Sequence, residues 1–145
     1  MVSDLFIKHD IGFSARPTKV LLVDEEAGDL GNLCQALEGQ GLQVLTCATY
    51  KAGIQCLETE PFDLVVVSQG TPAFEGRGVL DRAQQQDRHR PVLVLTRCID
   101  MPCYLEAIQM GAIDYLEKPV PAADLLKFVR AHTASAELRI HRNTA

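Results

Sequence analysis

Between Lys19 and His132 short apolar runs alternate five times with stretches of helical periodicity, and that alternation leaves few folds open. Val20-Leu21-Leu22-Val23 has no polar break, as a strand covered on both faces requires. It stops at Asp24. Leu30, Leu33, Cys34 and Leu37 then recur at helical spacing, with Gly39 and Gly41 as a stop signal. A second strand is predicted over 42–47 and a second helix over 49–59, closed by Pro61. Leu64-Val65-Val66-Val67 is too rich in β-branched residues for a helix and reads as the third strand. The Ser68 to Gly76 segment is loop, and Val79, Leu80 and Ala83 mark a helix over 77–87. The fourth strand is Val92-Leu93-Val94-Leu95, ending at Thr96. A helix over 102–110 follows, with Leu105, Ile108 and Ala107 or Met110 as its inner face. A short fifth strand (112–116), a Lys118-Pro119 turn and a last helix with Leu125, Leu126 and Val129 on one stripe complete the pattern.

Strands alternating with helices imply right-handed crossovers and a parallel sheet with helices on both faces. A chain of 145 residues forms one domain of this kind, and its core needs no disulfides at that size. The five cysteines, Cys34, Cys47, Cys56, Cys98 and Cys103, are odd in number and contain no Cys-x-x-Cys pair. They are read as buried small hydrophobes in a reducing compartment, and the chain as cytoplasmic. No stretch has the length of a membrane span. The net charge of −5 contains no basic stripe, which argues against direct nucleic-acid binding. Residues 1–17 form an extension whose Leu5, Phe6, Ile7, Ile11 and Phe13 are expected to pack on the domain or a partner. Residues 18–132 form the domain, and 133–145 a tail that could prolong the last helix through Ala136 and Ile140 and is expected to fray beyond about residue 138.

Open parallel sheets bind ligands at the carboxyl ends of their strands. That rule selects Asp24, Glu25 and Glu26 after strand 1, Ser68 after strand 3, Thr96 and Arg97 after strand 4, and Lys118-Pro119 after strand 5. Adjacent carboxylates repel by about 4 kcal/mol at 4 Å and an effective dielectric of 20, so the acidic turn wants a cation, unless it only complements the first helix's N-terminus. Lys118 brings an ammonium group toward the same place.

These segments resemble the receiver domains of two-component response regulators. The likeness is carried by Val20-Leu-Leu-Val-Asp-Glu-Glu26, Phe62-Asp-Leu-Val-Val-Val67, Pro91-Val-Leu-Val-Leu-Thr96 and, most specifically, Gly111-Ala-Ile-Asp-Tyr-Leu-Glu-Lys-Pro119. The resemblance implies a doubly wound, CheY-like α/β sheet of five parallel strands in the order 2-1-3-4-5. It places Asp24 and Glu25 on the metal-binding acidic pair, Thr96 on the switch hydroxyl, Tyr115 on the switch aromatic and Lys118 on the phosphate-contacting lysine. It also implies a cis Lys118–Pro119 bond.

The chain departs from the pattern at the phosphoacceptor, where the family has aspartate and this sequence has Ser68. A hydroxyl is not ionised at neutral pH and needs a general base, and no histidine lies near a strand end. Losing that carboxylate also weakens the drive to bind Mg²⁺, so Mg²⁺ is expected to bind weakly if at all and no cofactor is required. Arg97, where the family has a small residue, either pairs with Asp24, Glu25 or Glu26 in place of a metal or stays solvated. Glu75, seven residues past Ser68, is read as an ordinary acidic loop residue, and Ser68 lacks the G-x-S-x-G setting of a hydrolase.

The resulting expectation is a non-enzymatic pseudo-receiver in phosphorelay signalling. Its partner would be a protein, whether histidine kinase, phosphorelay or output protein. Contact, including possible homodimerisation, would use the face of helix 4, strand 5 and helix 5, with Leu105, Ile108, Tyr115, Lys127 and Phe128. Two alternatives stand beside it. One is a working regulator in which Ser68 is an introduced substitution or itself takes the phosphoryl group. The other is a binding module sensing a small anion at Lys118, Arg97 and Thr96.

Overall fold

The computed structural model describes residues 16–144, with side chains described up to Thr133. Five strands and five helices alternate along the chain: β1 (Lys19–Val23), α1 (Ala27–Glu38), β2 (Gln43–Cys47), α2 (Tyr50–Thr59), β3 (Leu64–Ser68), α3 (Arg77–Gln86), β4 (Val92–Thr96), α4 (Met101–Gln109), β5 (Asp114–Glu117) and α5 (Ala122–Thr144). The strands pair in parallel in the order β2-β1-β3-β4-β5. This is the doubly wound sheet that the alternation predicts.

Strand side chains alternate between two cores because the strand period is two. Leu21, Val23, Val65, Val67, Val92 and Val94 face the layer formed by α2, α3 and α4. Val20, Leu22, Leu64, Val66, Leu93 and Leu95 face α1 and α5. All five residues of β3 and of β4 are buried, so these central strands read as unbroken apolar runs. Helix starts follow local chemistry. Thr49 caps α2 by accepting from the Ala52 amide at 3.1 Å, and Asp100 caps α4 by accepting from the Cys103 amide at 3.0 Å.

Four expectations change. Helix α4 packs inward through Cys103 and Ala107, so of the expected inner face Ala107 is buried and Met110 packs partly covered against the core, while Leu105 and Ile108 stand in solvent. The apolar residues of α4 outnumber one face, so periodicity alone selects the wrong stripe. Helix α5 continues to Thr144, past the point at which fraying is expected. Cys98 is exposed, and Cys34 and Cys56 are only partly covered, so the buried-cysteine reading holds for Cys47 and Cys103 alone. The fifth strand starts two residues later than its apolar pattern suggests, at 114–117. The apolar residues of the N-terminal extension, from Leu5 to Phe13, and the tail side chains at Ala136 and Ile140 lie outside those described. The Lys118–Pro119 peptide is cis. Among the described residues no helix is long and apolar enough to cross a membrane.

Leu93 is fully buried at the centre of the sheet. Leu93→Ala is expected to lower unfolding free energy by about 2–5 kcal/mol, read from the urea midpoint at unchanged m-value.

Candidate functional site

A cavity of about 200 Å³ opens at the carboxyl ends of β1, β3, β4 and β5, and its walls include Asp24, Glu26, Tyr50, Ser68, Thr96 and Lys118. The strand register brings them there: Val23 lies beside Val67 and Thr96 beside Glu117, so Asp24, Ser68, Thr96 and Lys118 reach the same rim.

The centre of the site is an ammonium group. Lys118 Nζ lies 2.6 Å from Asp24 Oδ2, 2.7 Å from Glu26 Oε1 and 3.3 Å from Asp29 Oδ2. Asp24 and Lys118 are both nearly covered, at 5% and 7% side-chain exposure, so this pair lives in a low-dielectric environment. Burial works against the charged amine, but the hydrogen bonds to Asp24 and Glu26 outweigh it and raise the Lys118 pKa above its ordinary value. The same bond from Lys118, with a second from Arg97, holds the Glu26 carboxyl below the usual range. Asp24 is fixed further by accepting the Glu26 amide at 2.9 Å.

Arg97 crosses from the end of β4 to α1. Its Nε donates to Glu26, and its Nη2 lies 3.4 Å from Asp29 Oδ2. Glu25 is exposed and lines the cavity, but its carboxylate stands outside the cluster of Asp24, Glu26 and Asp29 whose oxygens gather within 4.8 Å of one another. Asp29 is not among the residues that the strand-end rule selects. It lies three residues beyond Glu26 on the first turn of α1, the spacing at which helical side chains meet.

Mg²⁺ requires near-octahedral oxygens at about 2.0–2.1 Å. Here the inward oxygens of Asp24 and Glu26 are committed to an ammonium group, and the third strand offers a hydroxyl where a carboxylate would complete the donors. Asp24, Glu26 and Asp29 form an acidic cluster that could hold a cation, and in this structure the Lys118 ammonium group meets all three.

Ser68 is 7% exposed, and its Oγ shares a hydrogen bond of 3.1 Å with the Tyr50 hydroxyl. Burial raises the Tyr50 pKa, with the bond to Ser68 opposing and the nearby Glu25, Asp24 and Glu75 reinforcing the rise, so the phenol is protonated at neutral pH. The loop gives Tyr50 room through Gly70, whose φ is +87° and whose missing Cβ would stand 3.0 Å from the phenol oxygen. Gly76 is equally constrained, since a Cβ there would collide with the Ser68 carbonyl oxygen. Glu75 is turned to its own loop: it accepts from the Thr71 amide at 2.6 Å and the Thr71 hydroxyl at 2.8 Å.

Thr96 is buried beside the cavity, with its hydroxyl donating to the Cys98 carbonyl at 2.9 Å. Tyr115 points inward at 5% exposure. Its hydroxyl donates to Gln69 Oε1 and accepts from the Asp100 amide at 3.1 Å, and its ring meets Tyr104 edge-on at 5.5 Å between centroids. Neither the buried Gln69 nor Tyr50 is singled out by the sequence pattern. Tyr50 is discoverable, because the rule that directs attention to strand ends applies to β2 as well, and Thr49-Tyr50 follow it.

Because Asp24 is covered and its charge is answered by Lys118, removing the lysine leaves a buried carboxylate without its counter-ion. Lys118→Met is expected to cost about 3–5 kcal/mol, and Asp24→Asn in the same chain to recover much of that loss, as a double-mutant cycle in urea would show.

Residues 20–130 match the family of response regulator receiver domains. The C4-dicarboxylate transport transcriptional regulatory protein DctD of Pseudomonas aeruginosa is 34% identical over 114 residues, covering 78% of this chain and 24% of that protein. The sensor histidine kinase GacS of Pseudomonas protegens is 30% identical over 128 residues, covering 85% of this chain and 14% of that one. The chain therefore spans a quarter or less of these two relatives. Among solved structures, a CheY-like receiver domain protein from Methanospirillum hungatei superposes with a TM-score of 0.80 at 26% identity, covering 86% of this chain and 99% of its own. A receiver domain protein from Clostridium thermocellum gives 0.74 at 29% identity, covering 83% and 98%. The family match over residues 20–130, which take in nearly the whole five-stranded sheet, makes this chain a member of the response regulator receiver domain family.

Proposed function

We propose that this receiver domain is a pseudo-receiver: a signalling module that works by protein contact and does not take up a phosphoryl group. The observation that carries this reading is the state of Ser68. Its hydroxyl is un-ionised and paired with a phenol that is itself protonated, so neither group supplies a base. The nearest buried carboxylate, Asp24, is committed to Lys118 and to the Glu26 amide. Each of the two cations at the rim is matched by carboxylates, Lys118 by Asp24 and Glu26 and Arg97 by Glu26 and Asp29, which speaks against the small-anion sensor. In this reading Arg97 and Lys118 together stand in for a metal ion, and Mg²⁺ is dispensable.

The contact surface proposed is the α4 side of the domain. Among the described residues the exposed large apolar side chains are Ile99, Met101, Tyr104, Leu105, Ile108 and Ile113, all in α4 or its flanks. Exposed apolar side chains gathered on and beside one helix support a docking surface there. The exposure of Leu105 and Ile108 supports their place in the expected contact face. Tyr115 has no such support, because it is buried, and Phe128 is half-covered, stacked on His132 at 4.2 Å and packed against the α1–α5 core. Receiver conformations are a pre-existing equilibrium, so a chain without an acceptor leaves that equilibrium to its sequence and its partner. The partner in this reading is a protein of the phosphorelay, since the charge and hydropathy of the chain favour neither nucleic acid nor membrane.

Incubation with acetyl phosphate and Mg²⁺, followed by intact mass, is expected to show no phosphoryl adduct; an adduct mapping to Ser68 or to any rim carboxylate would overturn the proposal. Self-association through the α4 patch is tested by sedimentation velocity. A concentration-dependent dimer that Leu105→Glu abolishes assigns the patch to a second copy, and a monomer at all concentrations removes the homodimer from the reading.

A further inference from the structure

Strand β2 ends at Cys47, and α2 carries Cys56 across from it. Their sulfurs lie 3.2 Å apart, the one pair of thiols in hydrogen-bond contact among the described residues. Cys47 is 6% exposed, whereas Cys56 is only partly covered and packs at the edge of the α2–α4 core. Closing the gap to the roughly 2.05 Å of a disulfide asks for about an ångström of movement shared by two side chains, and the ring it would close is short.

We propose that Cys47 and Cys56 form an oxidisable dithiol site, converted by hydrogen peroxide or an organic hydroperoxide to an intramolecular disulfide. Cys56, the more accessible sulfur, reacts first. It attacks the peroxide oxygen, the O–O bond breaks, and the leaving hydroxide takes up the thiol proton as water, which leaves a sulfenic acid. The Cys47 sulfur then attacks the Cys56 sulfur. The S–S bond forms, the S–O bond breaks, and hydroxide departs with the Cys47 proton as a second water. Two thiols lose two electrons and two protons, and the peroxide is reduced to two waters, or to an alcohol and one water where it is an organic hydroperoxide. Burial first, and then the hydrogen bond with Cys56, push the Cys47 thiol up to about 12. This disfavours the Cys47 thiolate and leaves the first attack on peroxide to the more accessible Cys56.

The pair is tied to the rim of the sheet from both sides. The Cys47 carbonyl accepts the Asp24 amide at 3.1 Å, so the end of β2 holds the acidic turn. Helix α2 begins with Tyr50, the partner of Ser68, and its Gly53 is pressed on Val23 so closely that a Cβ there would stand 2.8 Å from Val23 Cγ2. A cross-link between Cys47 and Cys56 therefore pins α2 to the end of β2, whose carbonyl holds the Asp24 amide, and holds Tyr50 over Ser68. This inference is independent of whether Ser68 accepts a phosphoryl group.

The test uses the whole 145-residue chain. After sub-millimolar hydrogen peroxide, remaining thiols are alkylated and the protein is cut with trypsin, which cleaves after Lys51 between the two cysteines. The expected product is a Cys47–Cys56 cross-linked peptide pair that dithiothreitol separates. The oxidised protein is expected to melt roughly 5–10 °C higher and to exchange the amides of α2 more slowly. Cys56→Ser and Cys47→Ala should each abolish the cross-link, and Cys98→Ser should retain it. Alkylation of both cysteines after peroxide, sulfinic acid at Cys56 without a cross-link, or a cross-link through Cys34, Cys98 or Cys103 would overturn the assignment. A cross-link that leaves α2 exchange unchanged would overturn its tie to the rim.

Discussion

Everything at the carboxyl edge of the sheet is arranged around the Lys118 ammonium group. Asp24, Glu26 and Asp29 belong to one turn and one helix start, and like charges gathered there would repel by several kcal/mol in partly covered surroundings. Lys118, delivered from the end of β5 on the far side of β3 and β4, answers that repulsion from inside. Arg97 answers it from outside, at 63% side-chain exposure, and its contribution is correspondingly screened. The buried pair is a constraint more than a source of stability. Two charges are taken from water to make it, and the covered Asp24 carboxylate depends on the ammonium group beside it.

That constraint shapes the hydroxyls around it. The cations pair with α1 and the acidic turn, and Ser68 pairs with Tyr50. One residue further on, Gln69 closes a separate network: its side chain accepts the Tyr115 hydroxyl and donates to the Thr71 carbonyl at 3.2 Å, while Asp100 donates its amide to Tyr115. Tyr115 is thereby tied to β3 and to the start of α4 at once. A buried phenol with both a donor and an acceptor satisfied has little reason to leave. The helix that bears the exposed apolar patch is thus anchored to the strand that ends at Ser68 through groups that need no phosphoryl ligand.

The sheet is legible in the sequence because its signals are redundant. Strands β3 and β4 are apolar runs that only a doubly covered sheet accommodates, and Gly39, Gly41 and Gly111 punctuate the helices. The site is legible where a topological rule can be applied to single positions, as at Asp24, Ser68, Thr96 and Lys118. It is illegible where the answer depends on packing. Leu105 and Ile108 obey helical spacing as well as Cys103 and Ala107 do, and only the neighbouring elements decide which stripe is covered. Glu25 and Glu26 are chemically alike, and the rotation of the turn into α1 is what brings Glu26, with Asp29 one helical step on, to the lysine. Cys47 and Cys56 are unremarkable by spacing and meet because β2 and α2 fold back on one another.

The two halves of the rim are therefore controlled by different physics. On the β5 side, electrostatics decides: Lys118 must sit where the carboxylates are, and any change in their number alters how tightly it is held. On the β2 side, packing decides: Gly53 against Val23 and the paired sulfurs set how closely α2 approaches, and with it the reach of Tyr50. Ser68, bonded to Tyr50, belongs to the β2 side, and Lys118, bonded to Asp24 and Glu26, to the β5 side. The cavity between them therefore joins two separate networks, one built on a shared hydroxyl hydrogen bond and set by packing, the other on a buried ion pair and set by charge.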